Sequence, residues 1–485
     1  MKPWSRYNTL FQSKKYGWFL YNALSGVMLE LDEPHYAIAC SLRDGKQAST
    51  ADIDRVFMEL LEKNGLLAER EDERVKLMKF RYDRNAACFS TAYIGLTICP
   101  TLSCNFSCPY CFEHSQNEGT IMSDETIAAL IGFIQKHEEA KHLTVSWYGG
   151  EPTLCFDVIE KLTKKFIELY PDYDNAGMVT NAYLLDQKKI NRLNDLKIIA
   201  IQVTLDGREA THNQRRMLRN GGATYQRILQ NIDLLMNSSW EGNCTVRVNV
   251  DKTNQQEYAA LHKELLKRYE GKNLSVYPGQ VNTFQGHDYD HQCGLCNSEW
   301  AAFTRDGYIK NGIMPRDGFY PQSGINNACV ATSHYGYIIG PEGGLYKCWE
   351  DVGQKHMSIG SVHEEEFVTN PELLARYSIG TDPFNDAECM ECAILPVCGG
   401  GCVSKRLRTQ QFGEKGIEYC SPLRESLTDY LEAYVETWQT RQMCDTVLGK
   451  AASPSMEKGY RMVQPEKKKH EAVKNPLENL AESSR

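Results

Sequence analysis

The chain has 485 residues, 42% hydrophobic and 24% charged, and 54 Lys and Arg against 63 Asp and Glu leave a formal net charge of −9. That balance excludes a disordered chain and a generic binder of nucleic acid, and the length exceeds one ordinary core, so two or three domains are expected. No apolar run approaches the ~18 residues of a membrane span, and the opening Met-Lys-Pro-Trp lacks the apolar block of a secretory signal, so a cytoplasmic protein without a membrane partner is expected. There cysteines stay reduced, and 18 of them, several closely spaced, read as metal or iron–sulfur ligands before disulfides.

After Tyr16 the run Trp-Phe-Leu-Tyr, a turn over 22–26 and the alternation of Val27, Leu29 and Leu31 suit two strands in a hairpin. Asp32 before Pro34 marks a helix start and Gly45 its end. Ile53, Val56, Phe57, Leu60 and Leu61 make one face of a second helix, stopped by Gly65, with Leu66-Leu67 as a short closing strand. Residues 1–90 thus read as a winged-helix-like module.

Over 91–300, apolar runs beginning at Tyr93, Leu143, Met178, Ile198, Cys244 and Leu274 alternate with amphipathic stretches such as 127–133 and 158–169. This is the pattern of parallel βα units, so the fold class is α/β, and ligands are expected beyond the carboxyl ends of the strands. Over 301–442 periodicity fades while glycine and cysteine rise, and a helix with Leu423, Leu427, Tyr430, Leu431, Tyr434 and Trp438 on one face closes the domain. Residues 443–485, polar and carrying Glu466-Lys467-Lys468-Lys469, are expected to be a mobile tail.

Cys104, Cys108 and Cys111 stand as C-x3-C-x2-C directly after the Tyr93 strand. Three thiolates on one short loop can hold three irons of a cubane and leave the fourth open, as a catalytic site requires; three ligands of a zinc site with a distant fourth is the alternative. The loop, with Tyr110 before the third cysteine, resembles the signature of the radical S-adenosylmethionine (radical SAM) superfamily. The likeness continues strand by strand. Gly149-Gly150-Glu151-Pro152 resembles the family's glycine-rich motif, whose backbone carbonyls take the methionyl amino group, and Thr180-Asn181-Ala182 its ribose segment. Thr204-Leu205-Asp206-Gly207, followed by His212, Asn213 and Arg216, resembles a run of the branch with extra clusters, with Asn213 where aspartate is usual. The resemblance implies a partial (β/α)6 radical SAM barrel with a [4Fe-4S] cluster on the three cysteines. It places S-adenosylmethionine against Tyr110, Gly149, Gly150, Glu151, Thr180, Asn181, Thr204, Asp206, Arg216 and Arg247. Arg216 is expected near the SAM carboxylate; a solvated charge beside Arg215 is the alternative. Asn249 faces the same way as Arg247 on the fifth strand.

Downstream, Cys329-x13-Gly343-x4-Cys348, then Cys389-x2-Cys392-x5-Cys398-x3-Cys402 and Cys420, resemble the SPASM domain of peptide-modifying radical SAM enzymes, a loop-rich iron–sulfur extension with two auxiliary [4Fe-4S] clusters. That pattern implies one cluster on Cys389, Cys392, Cys398 and Cys420 and three irons of the other on Cys329, Cys348 and Cys402. Cys293 or Cys296 could supply the fourth position, or it could stay open for a substrate thiolate; spare thiols or half a zinc site are the alternatives for that pair. Cys40, Cys88, Cys99, Cys155, Cys244 and Cys444 read as small buried apolar residues.

The resemblance implies reductive cleavage of SAM, hydrogen abstraction by the 5′-deoxyadenosyl radical, and a low-potential donor such as flavodoxin or ferredoxin. A maturase of a ribosomally made peptide, forming a thioether or other crosslink, is the leading substrate reading. The N-terminal module resembles a RiPP recognition element, which binds a leader peptide by strand addition; a mere cap on the barrel is the alternative. A formylglycine-generating sulfatase maturase is the second reading, against which Trp349 follows Cys348 where that group usually has aspartate. A zinc-stapled, non-catalytic regulator is the third, and it gives no account of the motifs after each strand.

Overall fold

The computed structural model describes residues 2–46, 55–113, 119–281, 293–313, 320–324, 329–447 and 459–463. At the N-terminus β1 (Asn8–Ser13), β2 (Gly17–Asn22) and β3 (Val27–Leu31) form an antiparallel meander, with Leu10 opposite Leu20 and Leu20 opposite Leu29. β1 is absent from the sequence reading because Asn-Thr-Leu-Phe-Gln-Ser carries little apolar alternation. Asp32 caps α1 (Glu33–Arg43), its carboxylate accepting from the His35 amide at 3.0 Å, and α2 (Arg55–Lys63) follows. The expected strand at Leu66-Leu67 is only a single bridge from Leu67 to Trp4. α3 (Arg70–Cys88) was not expected either: its first turn is Glu71-Asp72-Glu73, and the one large apolar side chain it buries is Leu77.

The central sheet follows the alternating pattern closely. β4 (Tyr93–Ile98), β5 (His142–Trp147), β6 (Ala176–Thr180), β7 (Ile198–Thr204), β8 (Asn243–Val250) and β9 (Leu274–Gln280) pair in sequence order, all parallel. The connecting segments carry α4 (Asp124–Gln135), α5 (Phe156–Leu169), α6 (Glu209–Arg215), α7 (Tyr225–Met236) and α8 (Tyr258–Arg268). Val145, Trp147, Met178, Ile201 and Val246 belong to one core with Leu162, Phe166 and Ile232 of the helices. The order is that of an open, partial (β/α)6 barrel.

α9 (Asn297–Asn311) leads into the cysteine-rich region, where β10 (Gly336–Ile339) pairs parallel with the free edge of β4 and β11 (Gly344–Tyr346) and β12 (Gly360–Ser361) extend the sheet to nine strands. α10 (Leu423–Val447) packs on α9 and shares a core with the N-terminal sheet, where Phe11, Phe19 and Tyr21 meet Leu427, Leu431 and Trp438. The other sheet face, with Leu20 and Leu29, packs on Phe57 and Leu61. The N-terminal module is therefore buried on both faces.

One expectation is corrected here. Residues 443–485 are not wholly a loose tail: α10 runs to Val447, and β13 (Tyr460–Val463) pairs antiparallel with β3, from Tyr460 opposite Leu31 to Val463 opposite Met28. The polar average of that segment hides four residues with apolar side chains at 460, 462 and 463. The run 466–469 and the side chain of Cys444 lie outside the described residues. Among the described residues no helix is long and apolar enough to cross a membrane.

Candidate active site

Loops at the carboxyl ends of β4 to β8 converge on one mouth of the barrel. The first carries Cys104, Cys108 and Cys111, whose thiols lie within reach of one another's charge. Burial dominates all three, pushing Cys104 up to about 12. Burial outweighs the nearby arginine charges that favour the thiolate, so these thiols stay protonated until a metal displaces the proton.

Gly149 and Gly150, after β5, brace that loop. A Cβ on Gly149 would lie 2.3 Å from the Thr101 carbonyl oxygen, and one on Gly150 2.3 Å from that of Ser103. The paired glycines thus admit the backbone leading into Cys104, a closer reason for them than ligand approach alone. Glu151 is fully buried, and its carboxylate accepts from the Thr153 amide at 3.0 Å, the Thr180 hydroxyl at 2.7 Å and the Asn181 amide at 2.7 Å. Its side chain therefore ties the β5 loop to the β6 loop. Asn181 in turn donates to Asn105 at 2.8 Å, with Cys104 Sγ at 3.8 Å.

After β7 and β8 a polar knot surrounds Tyr110. Its hydroxyl bonds the Asp206 carboxylate and receives Arg216 Nη1 at 2.7 Å and Asn249 Nδ2 at 3.3 Å. Asp206 also accepts from the Asn249 amide at 3.1 Å, while Arg215 pairs with Asp251 at 2.7 Å. Both arginines are buried, so Arg216 is not a solvated charge beside Arg215. Its Nε is buried without a hydrogen-bond partner, and its charge reaches Cys108. A buried cationic donor left unsatisfied beside the thiols fits a bound carboxylate. His212 accepts at Nδ1 from the Asp206 amide at 3.2 Å and meets the Thr224 hydroxyl through Nε2 at 3.1 Å, while Asn213 Oδ1 caps α7 by accepting from the amides of Thr224 and Tyr225 at 2.9 and 3.0 Å. Arg247 Nε donates to Asn249 at 2.8 Å, and Thr204 closes β7.

The structure also brings Glu113 to this region, which the sequence reading passed over. It is buried, with Oε1 unpartnered, and burial pushes it up to about 8. Its place two residues after Cys111 was the available signal.

The second array divides into two groups. Cys329, Cys348 and Cys402 feel one another's charge, and burial raises each, Cys329 to about 12. Cys88, at the end of α3, is buried, as expected of a small apolar residue, and its thiol reaches the Thr332 hydroxyl at 3.6 Å. Cys389, Cys392, Cys398 and Cys420 line one concavity with Arg406 and Arg424. Arg406 Nη2 stands 3.0 Å from Cys389 Sγ and Arg424 Nη1 3.1 Å from Cys420 Sγ, cations that suit an anionic thiolate cluster. Between Cys398 and Cys402, Gly399, Gly400 and Gly401 all take positive φ, and a Cβ on Gly401 would lie 1.9 Å from the Tyr419 carbonyl. That turn sends the neighbouring thiols to different groups. Cys293 offers its carbonyl to the Lys252 amide, and Cys296 is exposed just before α9, whose Asn297 reaches the Cys420 carbonyl at 3.2 Å. Among the described residues no three His, Cys, Asp or Glu form a group that could hold a single metal ion.

Trp349 stacks on Tyr148 at 5.8 Å and so joins the Cys348 loop to the Gly149 loop. Asp351 is fully buried, bonded by the Tyr377 hydroxyl and by Arg408 at 2.8 Å.

Comparison with known proteins agrees with this geometry. The radical SAM superfamily model matches residues 98–265. A serine-type anaerobic sulfatase-maturating enzyme of Bacteroides thetaiotaomicron is 21% identical over 360 residues, 65% of this chain and 84% of that protein. A cysteine-type anaerobic sulfatase-maturating enzyme of Clostridium novyi is 23% identical over 341 residues, 64% and 87% of the two chains. The solved structure of native anSMEcpe with bound AdoMet and Cp18Cys peptide superposes with a TM-score of 0.54 at 20% identity, covering 71% of this chain and 97% of that one, and shows the shared fold. The chain thus contains a radical SAM domain over residues 98–265 and is homologous to the anaerobic sulfatase-maturating enzymes.

Proposed function

We propose that the protein is a cytoplasmic radical SAM/SPASM maturase that crosslinks a ribosomally made peptide, with a thioether as the leading product. Bound SAM and its cluster, reduced by a flavodoxin- or ferredoxin-like donor, would supply a radical able to take hydrogen from an unactivated carbon. The chain's residues do the rest. Cys104, Cys108 and Cys111 hold the cluster, and Arg216, fixed by Tyr110 and burial, takes the SAM carboxylate. Thr180, Asn181, Thr204, Asp206 and Arg247 shape the nucleoside side, and the backbone of Gly149, Gly150 and Glu151 faces the amino group. Cys389, Cys392, Cys398 and Cys420 hold one auxiliary cluster. Cys329, Cys348 and Cys402 hold the other, leaving a position for Cys88, Cys293, Cys296 or a substrate thiolate.

The observation that supports the peptide-crosslinking reading is the β3 side of the N-terminal sheet, where the short strand Tyr460–Val463 adds in antiparallel register, the geometry that leader recognition by strand addition requires. Against formylglycine formation stands Asp351: the first aspartate after Cys348 is locked to Arg408 and Tyr377 instead of facing substrate. Anaerobic incubation of reconstituted protein with SAM, dithionite and a cysteine-containing peptide encoded beside its gene tests the reading by mass spectrometry. Loss of two hydrogens with the cysteine no longer alkylatable is the expected result. A carbonyl trapped by a hydrazide reagent would replace it with the sulfatase-maturase reading.

A further inference from the structure

The strand Tyr460–Val463 occupies a site built to hold it. Its backbone continues the sheet at β3, and the Asp32 amide donates to the Gly459 carbonyl at 2.7 Å. Tyr460 packs its ring 5.3 Å from His35 of α1 and 5.2 Å from Phe57 of α2. Arg461 Nε meets Glu30 at 2.5 Å, and its guanidinium lies 4.6 Å over Trp438 of α10. Met462 joins the Leu20 and Leu29 core, and Val463 is buried on the α10 side. Gly459 is left-handed, and a Cβ there would lie 2.4 Å from Asp32 Oδ2 and 2.5 Å from the His35 ring. The groove therefore reads glycine, aromatic, cation and then two apolar residues.

We infer that this edge is a strand-accepting peptide groove held in cis by residues 459–463, and that the leader of a peptide substrate enters it by displacing that strand. The inference rests on the peptide-maturase reading and deepens it by naming what the leader presents: an aromatic side chain against His35 and Phe57 and a cation against Glu30. Four residues pair with β3, few enough to exchange, yet a strand on its own chain competes at an effective concentration of order millimolar. A leader thus binds productively only when its own contacts outcompete the tether, which makes the tail a threshold on substrate choice.

The probe is a fluorescein-labelled synthetic copy of residues 457–465, and the proteins are the full chain and its Gly459→Val variant. The valine side chain cannot coexist with Asp32 and His35, so the variant's strand is released. Fluorescence anisotropy is expected to show at least tenfold tighter probe binding to Gly459→Val, and hydrogen exchange to show faster exchange of β3 amides in the variant without probe. Adding Glu30→Ala to the variant is expected to weaken the probe again. Equal affinity for the two proteins, or β3 amides still protected in Gly459→Val, would overturn the inference. The probe requires neither SAM nor clusters, so its outcome is independent of the peptide chemistry tested above. A substrate leader that binds both proteins alike without releasing the probe would leave the maturase reading intact and sink this one.

Discussion

His212 and Arg216 sit at the same end of α6 and hold opposite charge states for connected reasons. Burial, then the fields of Arg216 and Arg215, hold His212 well below its ordinary 6.5, and the Asp206 amide occupies the nitrogen a second proton would need. In the unfolded chain that imidazole takes up a proton below about pH 6.5, whereas in the folded chain it does not. Stability is therefore fully present above that pH and falls as pH drops through it, by up to ~1.4 kcal/mol per unit. Urea unfolding across this range is expected to show His212→Gln losing less stability on acidification than the parent; parallel curves would reject the assignment. Arg216 meets Tyr110 and keeps Nε for a ligand. Arg216→Lys preserves charge but not the planar fork, so calorimetry is expected to find SAM binding weakened about tenfold or more. Unchanged affinity would move the carboxylate elsewhere, with Arg247 the next candidate.

At the scale of elements, legibility followed burial. β5 to β7 show in the sequence as apolar runs because a parallel sheet covered by helices buries most of both faces of these strands, whereas β8 alternates buried and half-buried residues. β1 and β13 escape notice because their contribution is edge pairing, which leaves little side-chain periodicity in six and four residues. α3 was hidden by its charge, whereas its terminal Cys88 is buried as its apolar reading expects. The site motifs were legible as residue types, but not their internal duties: Glu151 ties two loops together, and the paired glycines admit the Thr101 and Ser103 carbonyls. Gly150→Ala tests that last point. Its methyl would strike the Ser103 and Leu102 carbonyls at 2.3 and 2.4 Å, and backbone there cannot yield without moving Cys104. The expected result is loss of about four irons of ~12 with deoxyadenosine release abolished, while the auxiliary-cluster signals persist. Full iron with intact SAM cleavage would contradict the bracing role.

For the whole molecule, one sheet and one long helix connect the first three of the four segments that the sequence divides at residues 90, 300 and 442. β10 extends the barrel sheet from the cysteine-rich region, and α10 returns to the N-terminal strands, so the auxiliary thiols are framed by both neighbours. Within that frame the turn of Gly399, Gly400 and Gly401 is decisive, because thiols four positions apart would otherwise reach the same centre. Here Cys402 faces Cys329 and Cys348, while Cys398 faces Cys389, Cys392 and Cys420. Arg406 and Arg424 flank only the second group, so its cluster feels two cations held against its sulfurs. Cys398→Ser and Cys402→Ser should therefore not be equivalent. Each is expected to erase a different auxiliary signal in the electron paramagnetic resonance spectrum of reduced protein, while substrate-independent SAM cleavage at the Cys104 loop survives in both. Loss of the same signal in the two variants would mean that Cys398 and Cys402 serve one centre, and the division made by the glycine turn would be wrong.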